Sequence, residues 1–211
     1  MPAQRFFPKV GAVRTQLSDT TVSIRPFGSQ DLSPLYEAAR ESLAEMMPWM
    51  RWCESDFSLA DCGSWLHYAA SAWEKGEAYN FAIIEPGNGQ LVGTNWLSHV
   101  NVKHRFANLG YWVRTSCVGR GLATSAGRLI ARFGFEELGL NRLEIMVALG
   151  NRASERVAEK LGAHREGILR QRLQLEGKAK DAVLFGLLAE SLKTSTCSRP
   201  QLAPLAVNER Q

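Results

Sequence analysis

The chain has 211 residues, 45% of them hydrophobic and 22% charged, which suits one globular domain with a sizeable core and leaves too little for two. Lys and Arg outnumber Asp and Glu by 25 to 21, a net charge of +4 with a sequence pI near 9.0, which favours acidic or phosphorylated ligands but is too mild to argue for nucleic acid. The four cysteines, Cys53, Cys62, Cys117 and Cys197, lack C-x-x-C spacing and partner histidines, which argues against a metal site and a disulfide framework.

The N-terminal MPAQRFFPKVGAVRTQ has no apolar leader, and no apolar run reaches the roughly 20 residues that span a bilayer, so a cytoplasmic protein with no membrane partner is expected. Residues 1–20 and 193–211 mix Pro, Gly, Arg and Ser without periodicity and read as an N-terminal extension and a polar C-terminal tail around a domain at 21–192. TVSIRPF (21–27) alternates Val22 and Ile24 as a first strand ended by Pro26. Asp31 is the expected N-cap of a helix with Leu32, Leu35, Tyr36, Ala39 and Leu43 at helical spacing, stopping before Pro48.

The aromatic loop MMPWMRWCESDF leads to Ser58, with Asp61 three positions on as a weaker form of the capping box. The helix it opens runs to about Lys75 and places Trp65, Leu66, Ala69, Ala72 and Trp73 on one apolar face, so Trp65 and Trp73 are expected in the core. Three strand-like runs follow, YNFAIIE (79–85), LVGTNWLSHV (91–100) and ANLGYWVRT (107–115), as an antiparallel meander turning first at PGNGQ.

SCVGRGLATSAGRLIARF (116–133) then enters a helix with Leu122, Ala126, Leu129, Ile130 and Phe133 on one side, ending near Gly139. RLEIMVAL (142–149) is apolar enough for a strand buried on both faces, and the helix before it allows a parallel pairing with the preceding strand. NRASERVAEKLG is a short helix capped by Asn151 and closed by Gly162, and EGILRQRLQL with DAVLFGLLA forms a last hairpin around EGKAK. The order of elements predicts an α+β, or mixed α/β, domain without internal repeats.

Gly119 and Gly121 stand between a strand and a helix, where backbone N–H groups and the first free amides of the helix converge under the positive end of its macrodipole. A diphosphate is the natural occupant. Glycine lets the chain approach closely, and Arg120 adds a charge that reaches a phosphate. A dinucleotide-binding turn needs a third glycine where Thr124 stands and an acid at the end of the next strand, whereas Glu144 lies near its start; a P-loop fails because no G-K-S/T follows. A turn serving chain geometry alone stays open on the turn's own evidence.

In their order, GYWVRTSCVGRGLATSA, LNRLEIMVALGNRASERVAEKLGAHREGIL and the last hairpin resemble the GNAT N-acetyltransferase superfamily, and within it the RimJ/RimL-like branch of ribosomal-protein N-terminal acetyltransferases. The resemblance covers about residues 20–190 and is densest over 109–170. It implies a central, mostly antiparallel twisted sheet with one parallel, splayed strand pair, flanked by about four helices. It also implies acetyl-CoA as cosubstrate, with no metal. The family turn, Q/R-x-x-G-x-G/A, is matched by Val118, Gly119, Arg120, Gly121, Leu122 and Ala123, with Val118 departing from the usual Gln or Arg. Backbone amides from 118 to 124, Thr124 included, are implied to hold the pyrophosphate, with Arg120 compensating for Val118. Backbone groups of Tyr111 and Val113 are implied to pair with the pantetheine amides like an added strand, and Asn151 to reach the pantetheine.

Acetyl transfer from a thioester to an amine needs a neutral amine, a polarised carbonyl and a proton donor for the departing thiolate. A backbone N–H near Val113 supplies the polarising contact in this reading. Many relatives place a Tyr in the segment that here reads ALGNRASER, so Ser154 is the expected general acid or thiolate-stabilising donor, against the plain alternative of a solvent-facing Ser in a first helical turn. His99 is the candidate base, with His104 and Glu85 as further options and water relay as another; Asn108 stands where relatives often carry an acid. Trp49 and Trp52, in the PWMRW loop, match a P-W-x-x-W segment that lies over the acceptor groove in the RimJ/RimL-like branch, with loop packing as the competing role.

The function expected is acetyl-CoA-dependent transfer to an amine, a protein N-terminal α-amine or a small-molecule amine, in a monomer or a homodimer. Val118, the missing loop Tyr and the lack of an obvious carboxylate base leave a non-catalytic acyl-CoA-binding module as the alternative. A dinucleotide-dependent oxidoreductase is disfavoured by the order of elements.

Overall fold

The computed structural model describes residues 14–50, 52 and 56–194. Cys53, Cys197 and most of the expected terminal extensions lie outside them. The described chain forms one eight-stranded sheet, in the order β1-β2-β3-β4-β5-β6-β8-β7, flanked by five helices. Its strands are β1 (Leu17–Ser18), β2 (Ser23–Pro26), β3 (Tyr79–Ile84), β4 (Leu91–Asn101), β5 (Phe106–Val113), β6 (Arg142–Ala148), β7 (His164–Leu175) and β8 (Lys178–Leu188). The helices are α1 (Leu32–Met46), α2 (Leu59–Lys75), α3 (Leu122–Arg132), α4 (Arg152–Leu161) and the short α5 (Ala189–Thr194). Among the described strands every pairing is antiparallel except β5 with β6, as the order of elements implied. Within the stretch expected as an extension, Leu17 pairs with Ile24 and is buried.

Alternation along the strands sends side chains to two different layers. On one face Phe81, Leu97, Leu109, Leu143 and Phe185 pack under α3 and α4. Trp73, Tyr79, Phe81 and Phe133 form an aromatic cluster there, with ring centroids 5.0–5.9 Å apart. Phe133 opens a widened turn over Phe133–Glu137, closed by Leu138 N–H donating to Phe133 O at 3.2 Å. On the other face α1 and α2 cover Ala82, Leu91 and Trp112 with Leu35, Ala38, Ala39, Met46 and Cys62.

Three local expectations change. Asp31 holds the N-cap position of α1 as expected, at the end of a short 3-10 turn, but its carboxylate makes no cap bond: it accepts from Arg25 at 2.7 and 2.8 Å and from Gly28 N–H at 2.8 Å, tying β2 to the helix start. β6 is not buried on both faces. Leu143, Ile145 and Val147 enter the core, while Arg142 and Glu144 pair at 3.1 Å on the half-exposed face, where Arg142 also reaches Glu166 of β7 at 2.6 Å. Trp65 is half-buried, edge-on to Phe27 at 5.2 Å, whereas Trp73 is core as expected. The Ser58–Asp61 capping box forms in full, with Ser58 Oγ accepting from Asp61 N–H at 3.2 Å and Asp61 Oδ2 accepting from Ser58 N–H at 2.9 Å.

Candidate active site

β5 and β6 pair only at Phe106–Asn108 with Arg142–Glu144. Beyond that point β5 stays with β4 as far as Val113, and β6 stays with β8 as far as Ala148, so the parallel pair opens into a slot. Arg114 N–H donates to Val92 O at 2.8 Å, toward β4. Since successive residues of a strand turn their backbone groups to opposite sides, those of Val113 and Tyr111 face the slot.

The glycine turn lies at the slot's mouth. Gly119 and Gly121 both take φ of +79°, a left-handed backbone that side chains with a β-carbon rarely adopt. A β-carbon added at either would meet no atom within 4 Å, so conformation, not crowding inside the protein, demands glycine here and leaves open space in front of the backbone. Gly121 is the N-cap of α3, and the first amides of α3, from Leu122 through Thr124, have no intrahelical acceptor. Val118 is 63% exposed beside them. Arg120 is not free: its guanidinium pairs with Glu85, which also accepts from Asn88 Nδ2 at 3.1 Å. α1 braces the approach to the turn, since Glu41 accepts from Arg114 Nε at 2.9 Å and from Ser116 N–H at 2.7 Å, and Ser42 Oγ accepts from Thr115 N–H at 3.0 Å. The Arg114 guanidinium, with the Ser116 donors, holds the Glu41 carboxyl down to about 2, although burial works in the opposite direction.

Across the slot, Asn151 Oδ1 caps α4 by accepting from Ser154 N–H at 3.1 Å. Tyr111 reaches over from β5: its hydroxyl donates to Ser154 O at 3.0 Å and accepts from Ser154 Oγ at 3.3 Å. Burial pushes the Tyr111 phenol up to about 12, against the opposing hydrogen bond from Ser154. Sequence reasoning treated Tyr111 only as a source of backbone contacts. The signal was present, because alternation puts its ring on the same face as Leu109 and Val113, toward α3 and α4.

The face under α1 and α2 is hollow, with a cavity of about 550 Å³. Trp52, Phe57, Trp65, Trp96 and Trp112 give it aromatic walls, and Asn80, Thr94 and Ser98 supply polar groups from β3 and β4. Trp96 lies across β5 at Gly110, where a β-carbon would overlap its indole ring. Burial raises the Cys62 thiol in the wall to about 11. Trp52 tilts against Trp112 at 6.0 Å and lines the cavity; Trp49, 37% exposed in the turn after α1, does not.

His99 sits in a bulge of β4 with φ +52°, exposed, its Nδ1 at 3.2 Å from Ser98 Oγ. His104 lies in the β4–β5 connection, with its N–H on Asn101 Oδ1 at 2.9 Å, and neither it nor Glu85 lines the cavity. Asn108 stands at the last β5–β6 pair, where the slot closes, and its Oδ1 is buried without a partner. Among the described residues no cluster of three or more His, Cys, Asp or Glu could hold a metal, and no helix is long and apolar enough to cross a membrane.

A family model described as an acetyltransferase (GNAT) domain matches residues 21–164. YdaF of Bacillus subtilis (strain 168), provisionally named a ribosomal N-acetyltransferase, is 31% identical over 79% of this chain and 91% of its own length. YjcK of the same organism, provisionally named an N-acetyltransferase, is 35% identical over 54% of this chain and 64% of its own. The solved structure of Mycobacterium smegmatis RimJ in complex with CoA-disulfide superposes with a TM-score of 0.74 at 25% identity, covering 81% of this chain and 83% of that one.

Proposed function

From the premise that the chain belongs to the GNAT acetyltransferase family, we propose that it transfers acetyl from acetyl-CoA directly to an amine, with coenzyme A in the β5–β6 slot and the acceptor in the aromatic cavity. One observation carries this reading: a slot lined by free strand-edge groups of Tyr111 and Val113 runs from the glycine turn to the Tyr111–Ser154 hydroxyl pair. Peptide-like amides suit such an edge, and a diphosphate suits the turn.

Acetyl-CoA supplies the activated acyl group. The amides around Gly119–Thr124 hold its pyrophosphate by backbone, which is why Val118 is tolerated and why Arg120, engaged with Glu85, is a secondary contact. Asn151 orients the first turn of α4 and with it Ser154. A phenol raised to about 12 stays protonated and spends its one proton on Ser154 O, which fixes the first turn of α4 and leaves the Ser154 hydroxyl, turned from Tyr111 into the slot, as the hydrogen-bond donor that stabilises the departing sulfur. Ser154 Oγ and Tyr111 OH therefore act together, a refinement of a single general acid. On the acceptor side, Ser98 Oγ passes the amine's proton toward His99 Nδ1 and solvent.

The ribosomal name of the relative YdaF points to a protein N-terminal α-amine, and the aromatic cavity to a small-molecule amine. Continuous thiol release from acetyl-CoA over a panel of N-terminal peptides and small amines tests the reading. Acetyl-CoA-dependent turnover with at least one amine is expected; binding of acetyl-CoA with no turnover on any amine leaves a non-catalytic module instead.

A further inference from the structure

The cavity under α1 and α2 is lined by two polar side chains that each carry a buried atom with no partner among the described residues: Asn80, 7% exposed, with Nδ2 unpartnered, and Thr94, 2% exposed, with Oγ1 unpartnered. A buried polar group without a partner costs on the order of 1–3 kcal/mol, so a folded protein that keeps two of them in one cavity wall holds them for something that enters. They belong to adjacent strands of the floor. Asn80 pairs with Trp96 across β3 and β4, and Thr94 pairs with Trp112 across β4 and β5, so each polar group is flanked by an indole.

What could fill this space is narrowed by charge. Among the described residues no Lys or Arg lines the cavity, so none of them neutralises a carboxylate or phosphate there. Two carboxylates, Asp56 and Asp61, are among the lining residues, but both are exposed and Asp61 is engaged with Ser58 through the Ser58 N–H and hydroxyl, while the unpartnered floor groups are neutral, so a polycation gains only a solvent-screened counter-charge. A peptide brings an amide for every residue, and indole and aliphatic walls leave most of these unpaired. The volume of about 550 Å³ falls within the usual range for small-ligand sites.

We infer that the acceptor is a small aromatic amine whose flat ring stacks between the indoles and carries one uncharged polar substituent that hydrogen-bonds Asn80 and Thr94. This rests on the acetyltransferase reading of the same site. Ring stacking against Trp96 and Trp112 supplies affinity, the two floor groups supply selection, and the amine is left to reach along the floor toward Ser98 and the β5–β6 slot.

Tyramine and phenethylamine differ by the single hydroxyl that the floor would bind. Calorimetric titration of each into the full chain loaded with coenzyme A should show tyramine binding about tenfold tighter, one buried hydrogen bond's worth. Thr94→Val, nearly isosteric, and Asn80→Leu should each shrink that ratio to about threefold or less by weakening tyramine alone, whereas a loss of packing would weaken both amines equally. Tighter binding of spermidine or of a short N-terminal peptide, equal binding of the two ring amines, or no binding of either to coenzyme A-loaded protein overturns the inference while the acetyltransferase reading stands. Failure of coenzyme A itself to bind overturns both.

Discussion

The two faces of the sheet are built from the same alternating strands and end in opposite states. Under α3 and α4, Phe81, Phe133, Leu109 and Leu143 are essentially inaccessible and the rings of the aromatic cluster touch edge to face. Under α1 and α2, larger rings, Trp52, Trp96 and Trp112 among them, surround a void and two unsatisfied polar groups. The hollow face gives up packing energy to keep room for a ligand, the exchange of stability for function expected where a site is built into a core.

The contrast is broken most directly by Phe133→Ala, which should cost about 3–5 kcal/mol in denaturant unfolding, since it removes a fully buried ring shared by three others. Trp52→Ala on the hollow face should cost under about 1 kcal/mol, because that ring is 38% exposed, while raising the acceptor KM. A large stability loss there would mean that the cavity wall is structural. Within the slot, Tyr111→Phe and Ser154→Ala should each lower kcat about 10–100-fold with the acetyl-CoA KM little changed, and the double variant should do little more, as expected of two hydroxyls acting as one device.

The brace between α1 and the glycine turn is tested by acid. Glu41 is held at about 2 in the folded chain against an ordinary 4.5, so its contribution is complete above that ordinary value and is lost as pH falls through the window down to about 2. Glu41→Gln should remove roughly 1 kcal/mol of stability at neutral pH and flatten the dependence in that window, read by urea unfolding at several pH values. The smallest effect is expected at the slot's mouth, where Val118→Gln should tighten acetyl-CoA about threefold by adding one side-chain donor next to backbone that already does most of the holding.

Much of the fold was legible because local signals agreed with one another. The Ser58–Asp61 box, the glycine at the end of α4 and the face of α3 run from Leu122 to Phe133 each appear where spacing put them. Asp31 stands at the N-cap of α1 where the sequence put it, but its carboxylate serves Arg25, because a bidentate guanidinium six residues away outcompetes the cap bond. β6 misled because an apolar strand can still keep Arg142 and Glu144 half-exposed when they pair with each other and with Glu166. Trp65 misled because a helix face reports direction, and the space it faces is a cavity.

The sequence by itself determined the order of elements, the glycine turn and the family, since these rest on contacts between near neighbours and on backbone conformations that only certain residues adopt. Which hydroxyl meets which, and which polar side chains are left without partners, was decided by tertiary structure alone. Tyr111 and Ser154 lie 43 positions apart and meet only because β5 and α4 flank one slot. Asn80 and Thr94 are ordinary strand residues until α1 and α2 close over them and leave Asn80 Nδ2 and Thr94 Oγ1 buried without a protein partner.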